Sequence, residues 1–197
     1  MSFDINKVLK ELKKVNPNGF INECHFQIEF GYALKRAYPN YDITYEWHKE
    51  KKRVDLLAAD GKEKIGFEFK YYTKEETRIL NQGLKVMLKE QAAANLTRSG
   101  YWIDVEKLER FVQSKVIDSG YCLLLTNDDR VFRVLGDNNL DKDYDVSNGV
   151  KPSNRILRYR SKKGFIEERT LHIKNEYHLN NDLYGDGLYL LILPIAE

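Results

Sequence analysis

The chain has 197 residues, 42% of them hydrophobic and 31% charged. That length supplies one domain with a substantial core, and the absence of low-complexity tracts excludes a largely disordered chain. A net charge of only +2 argues against tight non-specific binding to DNA unless basic residues are segregated on the surface.

The opening "MSFDINKVLKELKK" has the spacing of an amphipathic helix and no continuous apolar run, so neither a signal peptide nor a membrane anchor is expected there. "NPNG" (Asn16–Gly19) reads as a turn, and "FINECHFQIEFGYALKRAY" returns to helical periodicity. Glu23, Phe26, Gln27, Phe30 and Leu34 share one stripe of that helix. "PNYD" (Pro39–Asp42) ends it, and three strands follow: "ITYEW", "VDLLAA" and "KIGFEFKYY". The last two are joined by "DGKE" (Asp60–Glu63), whose Asp-Gly pair signals a hairpin.

From Ile79 to about Thr97 the apolar spacing predicts another helix, with Leu80, Leu84, Met87, Leu88, Gln91 and Asn95 near one face. Asp104 is the expected N-cap of the next helix, which carries Val105, Leu108, Phe111 and Val112. "GYCLLLTND" (Gly120–Asp128) has the nearly continuous apolar run of a strand buried on both faces, with "RVFRVL" as its hairpin partner. Residues 136–154 form a polar loop without calcium-loop spacing, and "TLHIKNEYHL" and "GLYLLILPI" read as late strands. The expected organisation is a single domain over 1–197, α/β or α+β: N-terminal helix 1–18, core 19–135, polar loop 136–154 and C-terminal strands 155–197.

The longest apolar run, "LYLLILPI", is far short of the ~20 residues needed to cross a bilayer, and a cytoplasmic protein is expected. Cys24 and Cys122 lack the spacing of a disulfide framework or zinc site and are expected as reduced core residues. Glycine-rich phosphate loops and nucleophile elbows are absent, and the four histidines lack metal spacing. Two segments are locally basic, His48–Arg53 and Lys151–Lys163. Lys51, Lys52, Arg155, Arg158 and Arg160 are the candidate phosphate contacts there, with a solvated face as the alternative reading.

The hairpin raises the sharpest question. With "DGKE" as a four-residue loop, Ala59 pairs with Lys64, Ala58 with Ile65, and Asp55 comes opposite Glu68. Alternation puts Glu68 and Lys70 on that same face while Phe67, Phe69 and Tyr71 point to the other. Opposed carboxylates repel each other in a purely structural sheet. A divalent cation reverses the sign of that interaction: Mg²⁺ takes oxygen ligands, and two carboxylates plus a substrate phosphate make a typical site for it. A lysine two residues along the strand can orient or deprotonate a water, or stabilise charge on phosphate oxygens. The competing reading is an edge strand with a wet, merely charged outer face.

Asp55 followed by "EFK" (Glu68-Phe69-Lys70), on a hairpin preceded by a helix containing Glu23, resembles the PD-(D/E)XK nuclease superfamily. Val54 stands where the motif has proline. The resemblance covers roughly residues 19–95. It implies a restriction-endonuclease-like three-layer core, a central mixed β-sheet flanked by helices. It also implies an Mg²⁺-dependent nuclease, with Mn²⁺ able to substitute, in which Asp55 and Glu68 hold the metal and Lys70 assists hydrolysis of a phosphodiester, expected in DNA. Glu23, with Glu29 as the alternative, matches a further metal-binding glutamate, and Gln91 matches a glutamine that orients a ligand or the lysine. A homodimer or a larger nuclease assembly is the partner expectation. The alternative function is a binding module for nucleic acid or protein that keeps the fold without cutting.

Overall fold

Period-two apolar strands and three- and four-spaced apolar helices assemble here around one six-stranded sheet. The structure, a computed structural model, describes residues 3–49, 52–90, 93–161 and 164–196. In chain order the elements are α1 (Ile5–Val15), α2 (Glu23–Ala37), β1 (Asp42–Lys49), β2 (Lys52–Ala59), β3 (Lys64–Tyr72), β4 (Glu76–Ile79), β5 (Lys85–Leu88), α3 (Ala94–Gln113) and β6 (Ser119–Thr126). They continue with β7 (Gly149–Lys151), β8 (Arg155–Ser161), β9 (Gly164–Ile173), β10 (Tyr177–Leu179), β11 (Asn181–Gly185) and β12 (Leu188–Ile195). The sheet order is β1-β2-β3-β6-β12-β11, with β3 and β6 parallel and the other neighbours antiparallel. The fold is therefore mixed α/β with a mixed central sheet. Among the described residues no helix is long and apolar enough to cross a membrane.

The sheet separates two cores. On one face Val8 and Leu12 of α1 and Phe26, Phe30 and Leu34 of α2 pack on Phe67, Phe69 and Tyr71 of β3 and Leu123 and Leu125 of β6. On the other, Tyr101, Trp102, Val105 and Leu108 of α3 meet Cys122 and Leu124 of β6, Leu191 of β12, and residues of β8, β9 and β10. The N-caps behave as side-chain chemistry dictates: Asp4 accepts from the Asn6 N–H and Asn22 from the His25 N–H.

Helix α3 lies close to the sheet because two glycines face it. Gly66 and Gly120 are partners in the parallel β3–β6 ladder, and a Cβ on Gly120 would sit 3.0 Å from Leu108 and 3.2 Å from the Gly66 carbonyl oxygen. This close approach sets the depth of everything between α3 and β3.

Several sequence expectations need correction. The helix expected over Ile79–Thr97 is a β4–β5 hairpin turned by Asn81–Gly83, and helix begins only at Ala94. Gly83 adopts a positive φ of 76°, which a glycine tolerates and a continuing helix does not. Burial there alternates instead, with Arg78 and Leu80 buried and Ile79 exposed. Asp104 is not an N-cap but lies in the middle of α3. "RVFRVL" does not pair with β6, whose two sides are taken by β3 and β12; its start belongs to a short 3-10 turn at Asp129–Phe132.

Residues 136–154 are more ordered than a solvated loop. They contain a 3-10 turn at Lys142–Tyr144 and strand β7, bury Tyr144 and Val146, and pair Asp141 with Arg98. Cys122 is a core residue as expected, but Cys24 is exposed on α2.

The glycine contact makes a direct prediction. Gly120→Val forces Leu108 and the β3 backbone apart and destabilises the fold by about 1–3 kcal/mol, the range for overpacked cores. Urea denaturation measures the change in midpoint.

Candidate active site

The hairpin register follows the turn chemistry: Ala59 pairs with Lys64 and Ala58 with Ile65. Asp60 accepts from the N–H groups of Lys62 and Glu63, closing the turn. The ladder stops at Leu56–Phe67. The β1–β2 ladder is also interrupted there, passing over Asp55 and Glu46, and Glu46 has a positive φ of 51°. Asp55 thus sits where both of its strand ladders are broken, and it does not form the paired rung with Glu68 that an uninterrupted register implies.

The parting of β2 from β3 leaves main-chain donors on β3 without a strand on that side. Buried amides need partners, and two carboxylates provide them. Asp55 Oδ2 accepts from the Phe69 N–H at 2.9 Å, and Glu23 Oε2 accepts from the Tyr71 N–H at 2.8 Å. Glu23 is the first residue of α2, capped by Asn22, so the start of that helix is aimed at the β3 backbone. Glu29 is elsewhere, accepting from Asn16 Nδ2 at 2.8 Å.

On the α3 side the charges form a chain. Lys70 Nζ lies 2.6 Å from Asp104 Oδ2. Lys107 Nζ lies 2.7 Å from Glu68 Oε1 and 3.2 Å from Asp104 Oδ1. Lys70 also donates to the Phe69 carbonyl at 3.3 Å. A Cβ on Gly100 of α3 would come within 3.3 Å of the Lys70 stem, so this glycine leaves the lysine its path. Two short contacts are ion pairs without hydrogen-bond alignment: Glu68 Oε1 and Asp104 Oδ2 are buried and have no aligned donor.

Burial governs the electrostatics. Glu68 is 2% exposed; its removal from water, reinforced by Asp104 and Asp55 and opposed by Lys107, pushes its carboxyl up to about 9. Glu23 is raised as well, by burial first, with Lys70 and the Tyr71 N–H opposing. For Lys70, burial favours the neutral amine, but Asp104 and then Glu23 and Asp55 outweigh it and hold the ammonium well above the ordinary lysine range. Four carboxylates and two ammonium groups make the cluster −2 when all are ionised.

That deficit suits a divalent cation. The donor set is all oxygen, and with every group ionised its formal charge equals that of one Mg²⁺ in magnitude. In donor type and charge these residues suit the ion. Among the described residues no three Asp, Glu, His or Cys side chains are grouped so as to hold an ion by themselves.

Sequence reasoning placed Asp55, Glu68, Lys70 and Glu23 in this site, and the fold brings all four together. It missed Asp104 and Lys107. Their signal was an acid and a lysine three residues apart on the helix that carries Val105 and Leu108, masked by reading Asp104 as a cap. Gln91 and Lys51 lie outside the described residues, as do the side chains of Lys52 and Arg160. Arg155 is not directed to the site; its guanidinium stacks 4.5 Å from the buried Trp102 ring. Arg158 is exposed on β8, and its main-chain N–H donates to Asp143. No protein-family model, curated protein or solved structure matches the chain.

The raised Glu68 carboxyl implies a pH dependence. The folded protein keeps that proton up to about 9, whereas the unfolded chain releases it near 4.3. Stability of the metal-free protein therefore falls as pH rises between these values. Lys70, raised above the lysine range, contributes stability that is lost only above that range and leaves this window unaffected. Thermal melts in EDTA from pH 5 to 9 check this: Glu68→Gln flattens the decline and raises Tm at pH 8 by roughly 2–4 °C, equivalent to about 1 kcal/mol at this length.

Proposed function

We propose that the chain is a metal-dependent nuclease of the PD-(D/E)XK type with a restriction-endonuclease-like fold, hydrolysing phosphodiester bonds, most simply those of DNA. The observation that carries the reading is the buried, oxygen-rich cluster at the parted β2–β3 strands, two charges short of neutrality when fully ionised and holding a lysine. Main-chain amides could be served by neutral acceptors, so four carboxylates set against two lysines exceed what packing requires, and burying charge in such excess is costly.

In this reading Asp55 and Glu68 hold Mg²⁺ or Mn²⁺, with Glu23 as a third ligand directly or through water. The ion, when bound, polarises the phosphate and lowers the pKa of a bound water. Glu68 must be ionised to bind it, so loading releases a proton from a group that titrates near 9. Lys70 stays cationic at neutral pH because of Asp104; its part is to orient the water and balance charge on the phosphate oxygens rather than to act as a base. Asp104 positions Lys70 from α3. Lys107 contacts Glu68 before metal binds and must yield when it does.

A second reading, a binding module that does not cut, draws on one observation: the lysines already partner Glu68 and Asp104.

Cleavage of plasmid, linear and single-stranded DNA and of RNA, with Mg²⁺, Mn²⁺ or EDTA, decides between them. The nuclease reading expects metal-dependent cleavage that Asp55→Asn and Lys70→Ala reduce by about 10²-fold or more. No cleavage on any substrate, together with no Mn²⁺ binding by calorimetry, leaves the binding module.

Gly100→Ala tests the positioning of Lys70. Alanine favours helix over glycine by up to about 1 kcal/mol, so this variant melts at or above wild type while cleaving more slowly, its Cβ displacing the lysine stem. Melting and turnover measured on one preparation check both halves.

A further inference from the structure

A second feature lies at the far end of β3. A cleft of about 560 Å³ is lined by Trp47 and Lys49 of β1, Lys64 of β3, Phe111 at the end of α3, and Ser114 and Lys115 just beyond it. Among the described residues, three ammonium groups line it and no carboxylate does. Asp118, close along the chain, is not among the lining residues; its Oδ2 accepts from the Lys64 main-chain N–H at 2.7 Å.

At the end of α3 the carbonyls of Arg110, Phe111 and Val112 accept from the N–H groups of Ser114, Val116 and Lys115. The Ser114 hydroxyl also donates to Arg110. Lys49 and Lys64 come from strands, with exposed side chains. The floor is aromatic: Phe111 is buried, and Trp47 is half-buried, packed against the core on one side and lining the cleft.

Cations beside an aromatic face are how proteins hold an unpaired nucleotide, phosphate on the ammonium groups and base on the ring. The cleft also lies in line with the candidate site. Lys64 and Glu68 are four residues apart on one face of β3, ~13 Å at the strand rise.

We propose that this cleft binds single-stranded nucleic acid, stacking a base on Trp47 and holding its phosphates with Lys49 and Lys64, along β3 from the bond to be cut. The strand's destination rests on the nuclease reading; the binding itself does not. The substrate class that follows has an unpaired segment: a single strand, a flap or a frayed end.

Tryptophan fluorescence reads the cleft directly. Of the chain's 2 tryptophans, Trp102 is fully buried, with its indole N–H donated to the Tyr144 carbonyl, so Trp47 is the responsive one. The intact protein in EDTA is titrated with a twelve-residue oligothymidylate, the same sequence as a blunt duplex, thymidine monophosphate and inorganic phosphate. The expected result is saturable quenching by the single strand, at least tenfold weaker for the duplex and absent in Trp47→Phe. The Lys49→Gln/Lys64→Gln double variant, exposed substitutions that leave the fold intact, weakens binding at least tenfold. It also reduces the slope of log affinity against log salt by about 1.4, ~0.7 for each phosphate no longer neutralised by a lysine.

No quenching, or quenching that the double variant leaves unchanged, overturns the proposal. So does an equal response to thymidine monophosphate or phosphate, which makes the cleft a small-anion pocket. Asp55→Asn separates the two ideas: metal-dependent cleavage that needs Asp55 without any Trp47 response sinks the cleft alone. Strand binding by a protein that never cleaves sinks the nuclease reading and leaves the cleft standing.

Discussion

Two main-chain amides on β3, those of Phe69 and Tyr71, organise the candidate site. β2 leaves β3 at Leu56–Phe67, and the amides beyond that point must find acceptors in a buried setting. Asp55 and Glu23 supply them. One contact fixes a strand to the central strand and the other fixes the start of α2, so the same bonds that complete the backbone's hydrogen bonding draw two carboxylates together. Their remaining oxygens and Glu68 then share one region of the protein.

The glycine pair Gly66 and Gly120 sets the third wall. By admitting Leu108 close to the sheet, it brings α3 down until Asp104 and Lys107 reach Lys70 and Glu68. Gly100 then opens the lane for the Lys70 stem. Close packing thus forces charge into a dry interface, where it acts strongly on every proton: Glu68 is driven toward its neutral form and Lys70 held in its charged one. A divalent cation relieves both the repulsion and the excess negative charge, which is why burial and metal-dependent chemistry belong together in this reading.

The hairpin register was legible because its cause is local: Asp60 and Gly61 make the turn, the turn sets the pairing, and alternation assigns faces to Glu68 and Phe69. The α2 stripe and the β6 apolar run were legible for the same reason. Residues 79–97 were not. Leu80, Leu84 and Leu88 fall at helical spacing, yet Leu84 is exposed, and Gly83 in a left-handed conformation turns the chain into a hairpin. Short apolar patterns are compatible with either period. Asp104 was misread because an acid before an apolar helical stretch is a good cap signal; only the preceding ten residues of α3, packed against sheet and β9, overrule it.

What the sequence determined alone was the set of local decisions: helix or strand where the period is long and clean, the turn at Asp60–Gly61, and the placing of Glu68 and Lys70 on the face of β3 opposite Phe67 and Phe69. These depend on neighbours within a few residues, so one chain suffices to read them. The tertiary structure decided which distant groups complete the cluster. Glu23 meets the Tyr71 amide across 48 residues, and Asp104 and Lys107 descend from a helix more than thirty residues beyond Lys70. No periodicity encodes those meetings, because they arise from where the sheet parts and how closely glycines let a helix approach.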